Sequence, residues 1–172
     1  MVVWKFDLKK ASSYLIFKKE MELIMNIRKL HSDDYGTVYK FIVNEMEHSE
    51  VSFKDMSASL DIMKADDSYL LYVAEHNNQV IGFVSAVKLL RCIDSCYIDI
   101  TCLVVSQNFQ GKGIGKSLLE FIESYGRVNK IEKFSVTSGL HRKEAHAFYK
   151  KNGYELGGHA FYKGLVIAGK GL

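Results

Sequence analysis

Apolar and polar positions alternate from Tyr97 to Val105, and a helical stripe follows almost at once. Ile98, Ile100, Cys102 and Val104 give one apolar face, while Tyr97, Asp99, Thr101, Leu103 and Val105 give the other. Period two predicts a strand with one face in the core and one open to a ligand. Ser106 to Gly113, rich in polar residues and glycine, ends that strand. Beyond it Ile114, Leu118, Phe121, Ile122 and Tyr125 recur at helical spacing, so a helix begins near Gly113.

The same reading places the other elements. A strand at Asn26–Leu30 leads to a helix beginning near Ser32, with Asp33 and Asp34 in its first turn. Tyr35, Val38, Tyr39, Ile42 and Met46 space its apolar face. A second helix near Phe53–Lys64 is followed by strands Tyr69–Glu75 and Val80–Leu89, joined by a turn at His76-Asn77-Asn78-Gln79. After the central strand and helix come a strand at Lys133–Thr137 and a helix at His141–Lys151, capped by Asn152-Gly153. Tyr154–Leu156 and Phe161–Lys163 are expected to close the chain as short strands. The fold class is α/β of the α+β kind: a single mixed, mostly antiparallel central sheet flanked by helices.

The glycine-rich turn brings in chemistry. A helix start leaves backbone N–H groups unpaired and carries partial positive charge. Gly111, Gly113 and Gly115 remove side chains that would keep an anion from that backbone, and Lys112 and Lys116 add positive charge. A Walker loop does not fit, because Gln110 stands where Gly115-Lys116-Ser117 would require glycine. A dinucleotide fingerprint fails at Lys116 for the same reason. Gln110, Gly113 and Gly115 do satisfy Gln-x-x-Gly-x-Gly. A tight connection that binds nothing is the alternative.

That hexapeptide resembles the acyl-CoA pyrophosphate loop of the GNAT superfamily of N-acetyltransferases. Downstream, Ala145, Phe148 and Tyr149 followed by Gly153-Tyr154 resemble the last block of the same superfamily, in the same order and separation. The resemblance runs from about Asn26 to Lys163. It implies a GNAT-like acyl-CoA-binding fold, with acetyl-CoA as co-substrate and no metal. The expected reaction is direct acetyl transfer to a primary amine without an acyl-enzyme. The alternative is a non-catalytic acyl-CoA-binding or regulatory module of the same fold.

The resemblance also implies roles for particular residues. Gln110, Gly111, Lys112, Gly113, Ile114, Gly115, Lys116 and Ser117 would hold the pyrophosphate. The backbone of Leu103, Val104 and Val105 would bond the pantetheine arm, although their side chains suit an ordinary buried strand equally well. Asp99, eleven residues before Gln110, lies where some relatives place a base glutamate. Being shorter, aspartate would act through water. A strand aspartate paired with a neighbouring lysine or capping a turn is its structural alternative, and Asp94 and Glu45 are weaker candidates for the base. Tyr149 stands where many relatives place the general acid, yet Ala145, Phe148 and Tyr149 also make a core stripe. Arg142 replaces the asparagine of many relatives; arginine can meet phosphates, but the family's hydrogen bond to the pantetheine arm does not carry over.

Composition changes the picture little. With 172 residues, 48% apolar and 25% charged, the chain suits one globular domain. A net charge of +3 argues for no nucleic-acid partner, and no apolar run is long enough for a membrane. Cys92, Cys96 and Cys102 read as reduced thiols, hence a cytoplasmic protein. The partner expected is a small-molecule or peptide amine, with a homodimer also compatible. His31–Asp67 holds nine acidic and three basic residues, and Gln107–Lys151 nine basic and four acidic. Solvated helix faces explain this as well as a polyanionic cofactor on one half and a cationic amine on the other. Residues 1–24 carry charges that interrupt any signal-like apolar core. They are either an element docked on the domain or the product of an upstream start codon, with the acetyltransferase domain at 25–172.

Overall fold

The computed structural model describes residues 25–158, apart from 47 and 93. The extension 1–24 and the strand expected at Phe161–Lys163 lie outside the described residues. Five strands, β1 (Met25–Lys29), β2 (Tyr69–His76), β3 (Gln79–Arg91), β4 (Asp94–Val105) and β5 (Lys133–Val136), form one sheet in that order. The first three pairings are antiparallel and β4 meets β5 in parallel. The helices are α1 (Tyr35–Asn44), α2 (Phe53–Lys64), α3 (Ile114–Val128) and α4 (Lys143–Lys151). The chain divides into two compact units between Val136 and Thr137, so α4 belongs to the second.

Local chemistry sets most boundaries. Asn77 and Asn78 hold φ of 49° and 60°, the pair of positive values that a two-residue hairpin turn needs between β2 and β3. Ser52 caps α2, its Oγ accepting from Asp55 N at 3.0 Å. A short 3-10 turn, Ser32–Asp34, precedes α1. At the far end of α3, Lys130 takes a left-handed φ of 58°, and Ile131 N donates back to Gly126 O at 2.9 Å. Gly126 itself admits no side chain: a Cβ there would lie 2.4 Å from the Phe134 ring.

Both faces of the sheet are covered. On one, α1 and α2 bury Val38, Phe41, Met56 and Leu60 against Leu71, Val73, Phe83 and Val104. On the other, α3 lies over β3 at Gly82, where a Cβ would come within 3.1 Å of Leu118 and 3.3 Å of Ile114. Tyr72 meets Phe121 on that side, with ring centroids 4.7 Å apart.

One expectation about β4 is corrected here. Ala86 faces Ile100, but the next residue of β3, Ser85, faces Cys102, so Thr101 is an extra residue in a β-bulge. The bulge reverses the alternation. Register puts Ile98 and Ile100 on the α3 face, and Cys102 and Val104 on the α1–α2 face. The four do not share one face, because period two holds only where pairing is unbroken. Ile98 and Ile100 are fully buried. At about 1.5–3 kcal/mol per buried side chain, they hold the register before the bulge.

The second unit shows a further difference. Tyr154–Leu156 forms no strand. The N–H of Tyr154 donates instead to Tyr149 O at 3.0 Å, and that of Gly153 to Lys150 O at 3.1 Å. With Gly153 at φ 87°, this is a Schellman cap on α4.

Candidate functional site

The first part of the site is a fork between two strands. β4 and β5 pair from Tyr97↔Lys133 to Ile100↔Val136, where β5 ends. β4 runs on to Val105, with Leu103, Val104 and Val105 paired to Val84, Phe83 and Gly82 of β3. Along Thr101–Val105 the opposite edge of β4 has no strand partner among the described residues. Backbone groups on such an edge are ready to pair with an extended chain.

The second part is the turn beyond that strand. Ser106 N donates to Ile81 O at 2.9 Å, and a 3-10 turn at Gln107–Phe109 follows. Gln110 Nε2 donates back to Val105 O at 3.0 Å, so this side chain braces the turn against the strand end. Gly111 and Gly113 take φ of 72° and 91°, which side chains disfavour. Gly113 is the N-cap of α3 and offers no side-chain acceptor to the first-turn N–H groups, and that turn holds no acid. Positive helix-end potential is thus left unopposed from within. Lys112 Nζ donates to Asn108 O at 2.8 Å and lies 5.0 Å from the Phe109 ring centroid. Lys116 is exposed beside Glu120 at 3.4 Å, a surface pair that holds it only weakly. Ser117 Oγ donates to Gly113 O at 3.3 Å. These residues fit a phosphate group.

A polar cluster sits where the fork opens. Ser135 Oγ donates to Asp99 Oδ1 at 2.5 Å, and the two residues are direct partners across β4 and β5. Thr101 and Ser85 join their hydroxyls at 2.7 Å, which seats the bulge. By register Asp99 shares its face with Ser85, whereas Leu103 and Val105 lie on the α3 face. The expectation that Asp99 shares a face with Leu103 and Val105 is therefore corrected by the same bulge. Its partner is a serine rather than a lysine. No local signal pointed to Ser135, which lies 36 positions away.

In the second unit Tyr149 is half-buried, and no described residue of α4 is fully buried. Its ring meets Phe148 at 5.3 Å and Tyr154 at 5.8 Å between centroids. Arg142 is the N-cap of α4 and makes no side-chain capping bond.

The acidic stretch is largely committed to structure. Asp34 takes two hydrogen bonds from Arg28, at 2.7 and 3.0 Å, and Arg28 Nε reaches Glu75 at 2.8 Å. Burial pushes the Asp34 carboxyl up, but Arg28 and the His31 N–H outweigh it and hold it below its ordinary value. Asp61 accepts from Tyr35 Oη at 2.7 Å. Burial and that bond push the phenol up to about 12. Asp66 accepts from Ser68 N at 2.8 Å, and Glu45 accepts from Gln107 N at 3.3 Å. Glu45 thereby ties the end of α1 to the turn before α3.

Forked strand, glycine turn and uncapped helix occur together in a sequence whose residues 25–154 match the acetyltransferase (GNAT) family. The chain belongs to the GNAT acetyltransferase family. This GNAT chain is 27% identical over 141 residues to an uncharacterized N-acetyltransferase, YhdJ, of Bacillus subtilis, covering 81% of the chain and 99% of the relative. It is 24% identical over 149 residues to the aminoalkylphosphonate N-acetyltransferase of Salmonella typhimurium, covering 86% and 96%. Among solved structures it resembles an aminoglycoside acetyltransferase, meta-AAC0020, from an uncultured soil metagenomic sample. The TM-score is 0.74 at 21% identity, over 85% of this chain and 99% of that one. The aminoglycoside N-acetyltransferase AAC(6')-Iy, crystallised with CoA, gives 0.71 at 14% identity over 82% and 94%. These structural likenesses establish the GNAT fold. Among the described residues, no helix is long and apolar enough to cross a membrane.

Proposed function

We propose that the protein transfers an acetyl group from acetyl-CoA to a primary amine of a small molecule. The observation that carries this is the open edge of β4, Thr101–Val105, running into the uncapped start of α3. An extended pantetheine arm suits the first feature and a pyrophosphate the second. The acceptors in the relatives' names, an aminoalkylphosphonate and aminoglycosides, support a small-molecule amine. The family match supports a domain that starts at Met25.

Acetyl-CoA supplies the thioester carbonyl that the amine attacks. The first-turn amides of α3, with Lys116 beside them, hold the pyrophosphate oxygens. An alkyl amine has a pKa near 10.4, so on the order of one molecule in a thousand is neutral at pH 7. Asp99 removes the ammonium proton through water, as a half-buried carboxylate at the mouth of the fork. Tyr149 returns a proton to the departing thiolate, since phenol and thiol pKa values are close enough for transfer.

The test is a screen of primary amines for CoA thiol release from acetyl-CoA. We expect release that depends on both amine and enzyme, with acetylated amine detected by mass. CoA binding without release for any amine class would overturn the catalytic reading and leave a binding module.

A further inference from the structure

We infer that Ser135 is a positioning residue for the base, an inference that rests on Asp99 acting as proposed above. Asp99 lies one pair before the last β4–β5 pairing, so it is held by paired backbone on both sides yet borders the opening. Ser135 is its direct partner on β5, and its hydroxyl donates to Oδ1. Among the described residues that is the one hydrogen bond to this carboxylate, and it comes from an uncharged group.

The consequence is chemical. A carboxylate on a strand has two side-chain torsions, and an unheld one would point its oxygens anywhere along the fork. One bond to Oδ1 fixes the plane and leaves Oδ2 as the proton acceptor. A hydroxyl donor is uncharged, so it sets no positive charge against the carboxylate, as a lysine partner would. A cation paired to the carboxylate would compete with the incoming ammonium; a serine hydroxyl does not.

Few charged neighbours compete for that role. On the same sheet face the titratable groups beside Asp99 are Tyr97 on β4 and Lys133 on β5, by the register Tyr97↔Lys133. Arg91 lies over the Tyr97 ring at 4.3 Å. From β3, the facing Ser85, Val87 and Leu89 carry no charge. The orientation of the carboxylate therefore depends on Ser135.

The experiment compares Ser135→Ala, Ser135→Cys, Ser135→Thr and Asp99→Asn, with the double variant Ser135→Ala/Asp99→Asn, as pH profiles of kcat/KM for the amine. Ser135→Ala should lower the plateau of the profile through lost orientation of the carboxylate. It should lower kcat about tenfold, with KM for acetyl-CoA unchanged. Ser135→Cys, a weaker donor of similar shape, should lower the plateau by less, and carries the test if the alanine variant does not fold. Ser135→Thr keeps the hydroxyl and should restore the profile. In the Asp99→Asn background Ser135→Ala should add nothing. A wild-type plateau in Ser135→Ala and Ser135→Cys, alongside a collapsed Asp99→Asn, would overturn the inference and keep the base. A normal profile in Asp99→Asn would instead remove Asp99 as base, and with it the reading beneath.

Discussion

Tyr154 closes the cap of α4 onto the ring of Tyr149, with centroids 5.8 Å apart and its own N–H on the Tyr149 carbonyl at 3.0 Å. In a Schellman motif the residue after the left-handed glycine packs on the helix three residues before the cap, and here both are tyrosines. The Gly-Tyr pair after α4 therefore orients Tyr149 from its backbone and from its ring face.

This makes Tyr149→Phe a clean variant. Ring packing and cap persist, so melting temperature and CoA affinity should hold, while kcat falls by about 10²–10⁴-fold as expected for a lost general acid. Asp99→Asn should fall by a similar order at neutral pH and recover partly at higher pH, where free amine becomes abundant. Tyr149→Phe should show no such recovery. A wild-type kcat for Tyr149→Phe across the pH range, with chemistry shown to be rate-limiting, would assign the tyrosine to packing alone.

The glycine turn before α3, proposed to hold the pyrophosphate, makes a separate prediction. Gly113 sits at φ 91° with open space around its missing side chain, so substitution meets strain before it meets a clash. Gly113→Asn tolerates the left-handed backbone and should fold with weakened CoA binding. Gly113→Glu adds a carboxylate beside the helix start and should abolish binding. Calorimetry on both, with melting curves as a check, reads this out, and unchanged affinity in Gly113→Glu would remove the turn from the cofactor site.

The Arg28–Asp34–Glu75 network should appear in stability rather than catalysis. Asp34 is 6% exposed and Arg28 bonds it twice. Asp34→Asn leaves a guanidinium short of its partner, and should cost about 2–4 kcal/mol by urea unfolding. The pH dependence has a definite sign. Because the folded carboxyl is held below its ordinary value, its stabilisation is fully present above about pH 4. It is lost as the pH falls through the folded value. Asp34→Asn should therefore flatten the acid side of the stability curve, and an unchanged acid limb would show the pair contributes nothing.

Lys130 offers a stabilising change. Its φ of 58° at the end of α3 is a position glycine adopts without penalty. Lys130→Gly should raise stability by about 1 kcal/mol, or about 3 °C in melting temperature. A lower melting temperature would mean that unfolded-chain entropy outweighs the relieved strain.

What the sequence by itself determined is what depends on near neighbours. The helix expected near Phe53–Lys64 forms there, glycine and polar residues located the turn before α3, and Asn152-Gly153 located the cap on α4. The glycine turn proposed to hold phosphate was legible as a turn for the same reason, since helix start, glycines and lysines lie within seven consecutive residues, Gln110–Lys116. Tertiary structure alone decided what depends on pairing. The bulge at Thr101 arises from a slip against β3 that no alternation within β4 records, and it moves Asp99 to the face opposite Leu103. Asp99 acquires Ser135 only because β5 lies parallel at its edge, and Arg28 meets Glu75 across 47 positions. Aspartates that read as an acidic surface proved to be committed to Arg28, Tyr35 and Ser68. Charge counts are a property of the chain, but a side chain's partners are set by which distant segments the sheet brings to its side.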